Sequence, residues 1–89
     1  MDKRTTGDAN EAMVEFLKAD LDLAMTLVEI AASASEAERM ERCYGDARKA
    51  YDTIRRMMNH VDLSKAEEAY ILERLAKLKA TLERVGESF

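Results

Sequence analysis

Apolar residues recur at helical spacing along the whole chain, and no proline interrupts the pattern. Steps of three and four residues between apolar positions gather them on one side of an α-helix. Three polar residues, Asp8, Ser35 and Ser64, divide this pattern, and each is followed three positions later by a glutamate. That spacing is typical of a capping box, in which the two side chains satisfy free backbone amides at a helix start. The pattern therefore predicts three helices.

The predicted helices run over about residues 9–34, 36–59 and 65–85, and Gly86 is a suitable end for the last one. The connections near residues 33–35 and 60–64 are short, and short connections favour antiparallel neighbours. We expect one all-α domain over residues 1–89, an antiparallel up-down-up three-helix bundle. Residues 1–7 and 87–89 are expected to be flexible tails.

The second and third helices each show one apolar face, as packed helices should. The third carries a narrow seam with steps of four and three residues, which is typical of left-handed bundle packing. That seam contains Ile71, Leu75, Leu78, Leu82 and Val85. The face of the second helix contains Met40, Cys43, Ala47, Ala50, Tyr51, Ile54, Met57, Met58 and Val61.

The first helix is apolar over an unusually wide arc of roughly 220°. One stripe contains Val14, Leu17, Leu21, Ala24, Val28 and Ala31, and a second stripe beside it contains Phe16, Leu23, Leu27 and Ile30. A helix that packs between two others already needs a wide arc. If the second stripe is exposed instead, it is expected to be an association site, most simply for a symmetric homodimer.

Asp20 falls between the two apolar stripes of the first helix. Burying an unpaired carboxylate there would cost several kcal/mol of free energy, so Asp20 must be paired, protonated or at a solvent-exposed edge of the apolar arc. We expect Asp20 to be a buried polar group that fixes helix register, with contact to a ligand or partner as the alternative.

Composition is that of a soluble helical domain, with 47% apolar and 36% charged residues and a formal charge of −4. The single cysteine, Cys43, cannot form an intrachain disulfide, which suits a reducing compartment, so we expect the cytoplasm. The first seven residues lack the apolar core of a signal peptide, and no apolar run has the length of a membrane span. We expect no membrane association.

Charge is divided unevenly between the first two helices. Residues 8–38 hold eight acidic residues and one lysine, whereas residues 39–60 hold six basic residues and three acidic ones. Solvated faces and attraction between helices explain this division in part. The basic face of the second helix could instead bind an acidic partner, a protein in preference to a nucleic acid, because it lacks interleaved aromatic residues for base stacking. Its candidate residues are Arg42, Lys49, Arg56 and His60.

The sequence shows no recognisable set of nucleophile, base and orienting group, no phosphate loop and no metal-ligand spacing. We therefore predict no enzyme activity and no catalytic, cofactor-binding or metal-binding residues. Gly45 leaves the continuity of the second helix open: the helix could bend or restart at Asp46, or another backbone could approach closely.

Residues 44–54, Tyr-Gly-Asp-Ala-Arg-Lys-Ala-Tyr-Asp-Thr-Ile, resemble the small-residue and tyrosine pattern in the second helix of tetratricopeptide-type hairpins and related three-helix modules. The resemblance covers this helix alone, and no 34-residue repeat accompanies it. It implies a helical interaction module that accepts a partner helix. The predicted function is a non-enzymatic protein-interaction or self-association module that uses the second stripe of the first helix.

Overall fold

A computed structural model describes the backbone of residues 3–89 and the side chains of residues 9–89. Over that part of the chain, α1 spans Lys3–Ser33, α2 spans Ala37–Met57 and α3 spans Lys65–Arg84, with a 3-10 turn at Met58–His60. The predicted all-α fold, an antiparallel three-helix bundle, is confirmed. The molecule measures 53 × 19 × 17 Å. Its long dimension follows α1, whose 31 residues extend over about 46 Å.

The start and end of α3 agree with the sequence pattern. The Ser64 hydroxyl accepts a hydrogen bond from the Glu67 amide at 3.1 Å, and the Glu67 carboxylate accepts one from the Ser64 amide at 2.9 Å. This is the predicted capping box. At the other end Gly86 has a φ of 97°, and the Glu87 amide donates to the Leu82 carbonyl at 3.0 Å. Glycine ends the helix because it adopts this conformation without strain.

The predicted cap residues of α1 and α2 are wrong, and α1 starts earlier than predicted. α1 begins at Lys3, so Asp8 lies inside the helix and does not cap it. Residues 1–2 of the predicted N-terminal tail lie outside the described residues, and residues 3–7 belong to α1. A long helix extends easily because adding a residue to an existing helix does not require a new nucleation step. An aspartate in the helix interior costs under about 1 kcal/mol.

The α2 start is shifted by one residue. Its N-cap is Glu36, with an extended backbone and no side-chain capping bond, rather than Ser35. The shift places Arg39 at the third helical position, where Glu38 was expected, so no capping box can form. Glu38 still lies in the first turn, where a carboxylate interacts favourably with the helix dipole.

The core consists of two clusters stacked along the bundle axis. The cluster near the α2–α3 connection contains Leu17, Leu21, Ile54, Ile71 and Leu75. The cluster toward the α1–α2 connection contains Ala24, Ala47, Leu78 and Leu82. Tyr51 packs against both. The first apolar stripe of α1 and the seam of α3 therefore form the core as predicted, except that Val85 ends α3 and is 45% exposed.

Gly45 does not interrupt α2, which is continuous over Ala37–Met57. A Cβ atom added at Gly45 would meet nothing within 4 Å, so no backbone approaches it closely. A helix restart at Asp46 and a close backbone approach at Gly45, two of the possibilities considered, are therefore wrong.

Candidate association surface

Three large apolar side chains of the second stripe are exposed on α1. Phe16 and Leu23 are each 53% exposed and Ile30 is 38% exposed. They lie seven residues apart, so they follow one line along the helix. Leu27, the fourth predicted member, is partly buried and packs against the cluster that contains Ala47. Leu27 therefore does not share the exposure of the other three members of the second stripe.

Small exposed residues alternate with the three large ones. Together they form a set at steps of four and three residues, the spacing of a helix–helix seam. We call this set the outer seam: Ala12, Phe16, Ala19, Leu23, Thr26, Ile30 and Ser33. The small members of the outer seam do not stand out in the sequence because alanine, threonine and serine are common on solvent-exposed helix faces. The alternation with Phe16, Leu23 and Ile30 was the signal that could have revealed them.

None of the seven residues of the outer seam is charged. The exposed aromatic rings of Tyr70 and Phe89 differ in their surroundings. The Arg74 guanidinium lies 4.7 Å from the centre of the Tyr70 ring, and that of Arg48 lies 3.8 Å from the centre of the Phe89 ring. Cations therefore cover these aromatic rings, whereas the outer seam offers a continuous uncharged strip.

An acidic row borders the outer seam on α1. Glu15, Asp22 and Glu29 lie seven residues apart and all three are exposed. Glu15 has an ion-pair neighbour on its own helix, Lys18, at 3.6 Å. Because both groups of this pair are substantially exposed, it contributes little to stability.

The predicted basic face of α2 contains a matching row. Arg42, Lys49 and Arg56 are exposed and also lie seven residues apart, which we call the basic row. None of the ion pairs found among the described residues uses them. His60 is exposed as well, but it lies four residues after Arg56 in the 3-10 turn and does not continue the spacing.

Asp20 is not buried, so the prediction of a buried polar group is wrong. It is partly exposed, and among the described residues no polar or charged side chain is fully buried. The carboxylate was expected to be paired, protonated or at a solvent-exposed edge of the apolar arc. The structure agrees with the solvent-exposed edge. The helix turn places Asp20 beside the outer seam, on the side of Leu27.

Arg48 does not belong to the basic row. Its guanidinium pairs with Asp52, donates to the Ser88 carbonyl at 3.2 Å and stacks on the Phe89 ring. The predicted tail at 87–89 is thus held against α2 and contacts Tyr51 through an edge-to-face ring pair.

Comparison with protein-family models, curated proteins and solved structures gives no match to this chain. The resemblance of α2 to tetratricopeptide-type hairpins stays a prediction. The small residues of this pattern have a packing role, since Ala47 is fully buried and Ala50 packs against the same core cluster.

Clefts also lie between α1 and α3. One of them, of about 400 Å³, is lined by Asn10, Glu11, Val14, Glu15 and Glu67. Asn10 is already engaged, because its side chain donates to the Asp62 carbonyl at 2.9 Å and accepts from the Asp62 amide at 2.8 Å. None of the described helices is long and apolar enough to cross a membrane.

Proposed function

We propose that the chain is a non-enzymatic self-association module, in which the outer seam packs against the outer seam of a second copy. The observation that carries the proposal is the exposure of Phe16, Leu23 and Ile30 on one uncharged line of α1. Each of these side chains would bury apolar surface in a dimer. Such burial is favourable by roughly 25 cal/mol of free energy per Å².

The spacing of the outer seam supports a helix partner. Steps of four and three residues let each large side chain of one helix enter a gap between side chains of the other. The small residues between them allow the two backbones to approach closely. A flat or irregular partner surface would not need this regular alternation.

The alternative function, binding of an acidic partner through the basic face, has one supporting observation. Arg42, Lys49 and Arg56 are exposed and are not used by the ion pairs found among the described residues. A second copy would itself supply an acidic surface, so we favour self-association over a different acidic protein.

Light scattering coupled to size exclusion, over a dilution series, tests the proposal. We expect the native chain to be a dimer and Leu23→Glu to be a monomer with unchanged helix content, because Leu23 is 53% exposed and its replacement leaves the core intact. Leu72→Glu is the matched control, since Leu72 is a 38% exposed leucine on α3, away from the outer seam. It should remain a dimer.

Two outcomes would overturn self-association through the outer seam. One is a native chain that stays monomeric at every concentration. The other is a dimer that Leu23→Glu leaves as tight as native, or that Leu72→Glu weakens equally. Leu27→Glu is not a suitable variant for testing association. Leu27 packs against the core, so its replacement would also unfold the bundle.

A further inference from the structure

We propose that two copies pack through their outer seams in antiparallel orientation, so that each large side chain of one copy lies against a small residue of the other. This inference rests on the proposed self-association. It adds the direction of the partner helix and the side-chain contacts that select this direction.

The outer seam alternates in side-chain size along its whole length. Its large residues are Phe16, Leu23 and Ile30, and its small residues are Ala12, Ala19, Thr26 and Ser33. Each set repeats every seven residues, so one heptad position of the seam is always large and the other is always small. Large and small side chains that face one another interdigitate, whereas facing large side chains hold two helices apart. The packing of the seam therefore depends on the direction of the partner helix.

A two-fold axis along the helices gives a parallel pair, in which each seam residue lies opposite its own copy. Phe16 and Leu23 would then each face the same large residue of the partner, and Ala19 would face the partner's Ala19. The large residues would hold the backbones too far apart for the alanine side chains to meet. Gaps would remain at every small position, and such gaps weaken packing.

A two-fold axis across the helices gives an antiparallel pair, in which facing residues lie at equal distances on either side of the axis. An axis level with residue 21 gives every large residue of the seam a small partner. The facing pairs, one residue from each copy, are Phe16 with Thr26, Leu23 with Ala19 and Ile30 with Ala12. In this register the two α1 helices overlap over residues 9–33. Moving the axis by half a heptad toward Ser33 would keep unequal pairs but shorten the overlap to residues 16–33.

The rest of the bundle leaves the outer seam accessible to a partner helix. Leu17 and Leu21 are fully buried in a cluster with residues of α2 and α3. Leu23 follows Leu21 by two positions and therefore points to nearly the opposite side of α1. Both neighbouring helices thus lie on the far side of α1 from the partner.

The acidic row opposes the antiparallel pair, but only weakly. Glu15 lines a cleft with Glu67 of α3, so the acidic row lies on the α3 side of α1. An axis across the helices sets the acidic rows of the two copies side by side, and it sets Asp20 beside the partner's Asp20 on the α2 side. Each exposed like-charge pair weakens association by roughly twofold, whereas misfit of one packed side chain weakens it at least about fivefold. Packing therefore decides the direction.

Enlarging one small residue of the seam tests this direction. Ala19 is exposed, so Ala19→Leu leaves the core intact. In the antiparallel pair the added side chain meets the partner's Leu23, and we expect the dimer Kd to rise at least about fivefold because the seam is overpacked. In a parallel pair the same change would fill a gap and lower the Kd. Ala80→Leu, on the exposed side of α3, is the matched control and should leave the Kd unchanged. Analytical ultracentrifugation measures all three values.

Spin labels measure the direction by distance. Cys43 is the single cysteine, so Cys43→Ala gives a background without thiols, in which Glu11→Cys or Asp22→Cys carries one label. Both positions are exposed and lie on the same side of α1. In the antiparallel pair the two labels at position 11 are about 30 Å apart along the helix axis, and the two at position 22 about 3 Å. We expect electron paramagnetic resonance to give a much longer distance for Glu11→Cys than for Asp22→Cys.

Three results would overturn the antiparallel arrangement while self-association stands. A lower Kd for Ala19→Leu, or equal label distances for Glu11→Cys and Asp22→Cys, would show a parallel pair. An unchanged Kd for Ala19→Leu would show that Ala19 does not face a large residue. A native chain that is monomeric at every concentration removes both proposals together.

Discussion

At the scale of single residues, burial changes over one or two positions of α1 and decides what each side chain does. Leu21 is fully buried, whereas Leu23, two residues later, is 53% exposed. Both leucines belong to one wide apolar arc in the sequence, so the pattern alone could not separate core from surface. The position of the neighbouring helices separates them.

Glu67 shows a similar dependence on local structure. Its pKa is lowered from the ordinary glutamate value, first because its carboxylate accepts the Ser64 backbone hydrogen bond, and further because of the Ser64 hydroxyl and the positive charge of Lys18. Partial desolvation acts in the opposite direction. A lowered pKa means that the charged carboxylate stabilises the folded state.

The stabilisation from Glu67 is therefore expected at neutral pH and is lost as the pH falls through its lowered pKa. We predict that Glu67→Gln lowers the Tm at pH 7 and has almost no effect at about pH 2, where the native carboxyl is protonated too. Thermal unfolding at both pH values checks this. Glu68→Gln, outside the capping box, is the control, and an equal loss at both pH values for Glu67→Gln would contradict the prediction.

At the scale of helices, the sequence predicted the number of elements correctly, but only one of the three predicted cap residues stands at a helix start. The Ser64 box forms because the connection ends at Ser64 with an extended backbone. Ser35 and Asp8 carry the same spacing, yet the connection before α2 runs one residue further and α1 extends back to Lys3. Capping patterns are local, whereas helix ends also depend on where the chain turns.

The continuity of α2 gives a prediction at this scale. Gly45→Ala should stabilise the fold by about 0.5–1 kcal/mol, because alanine restricts the unfolded chain and its Cβ meets nothing within 4 Å. Urea unfolding at a fixed protein concentration measures the change. Gly86→Ala should be destabilising instead, since Gly86 has a φ of 97°. A destabilised Gly45→Ala would contradict a continuous, uncrowded α2 at this position.

At the scale of the whole molecule, the bundle could be predicted but the association surface only in part. Helix count, antiparallel order and the α3 seam follow from periodicity and short connections. The exposure of the second stripe could not follow, because it depends on the angle at which α2 and α3 pack against α1. Leu27 and Asp20 were misplaced for this reason: the boundary between core and surface passes beside them.

Tyr51 has a consequence for how the bundle opens. Its ring packs against both core clusters and forms an edge-to-face pair with the Phe89 ring, with 4.8 Å between the ring centres. Neither cluster can be exposed to water without disturbing contacts of the same ring. The two halves of the bundle should therefore unfold as one cooperative unit, so that core amides near either connection exchange their hydrogens at the same slow rate.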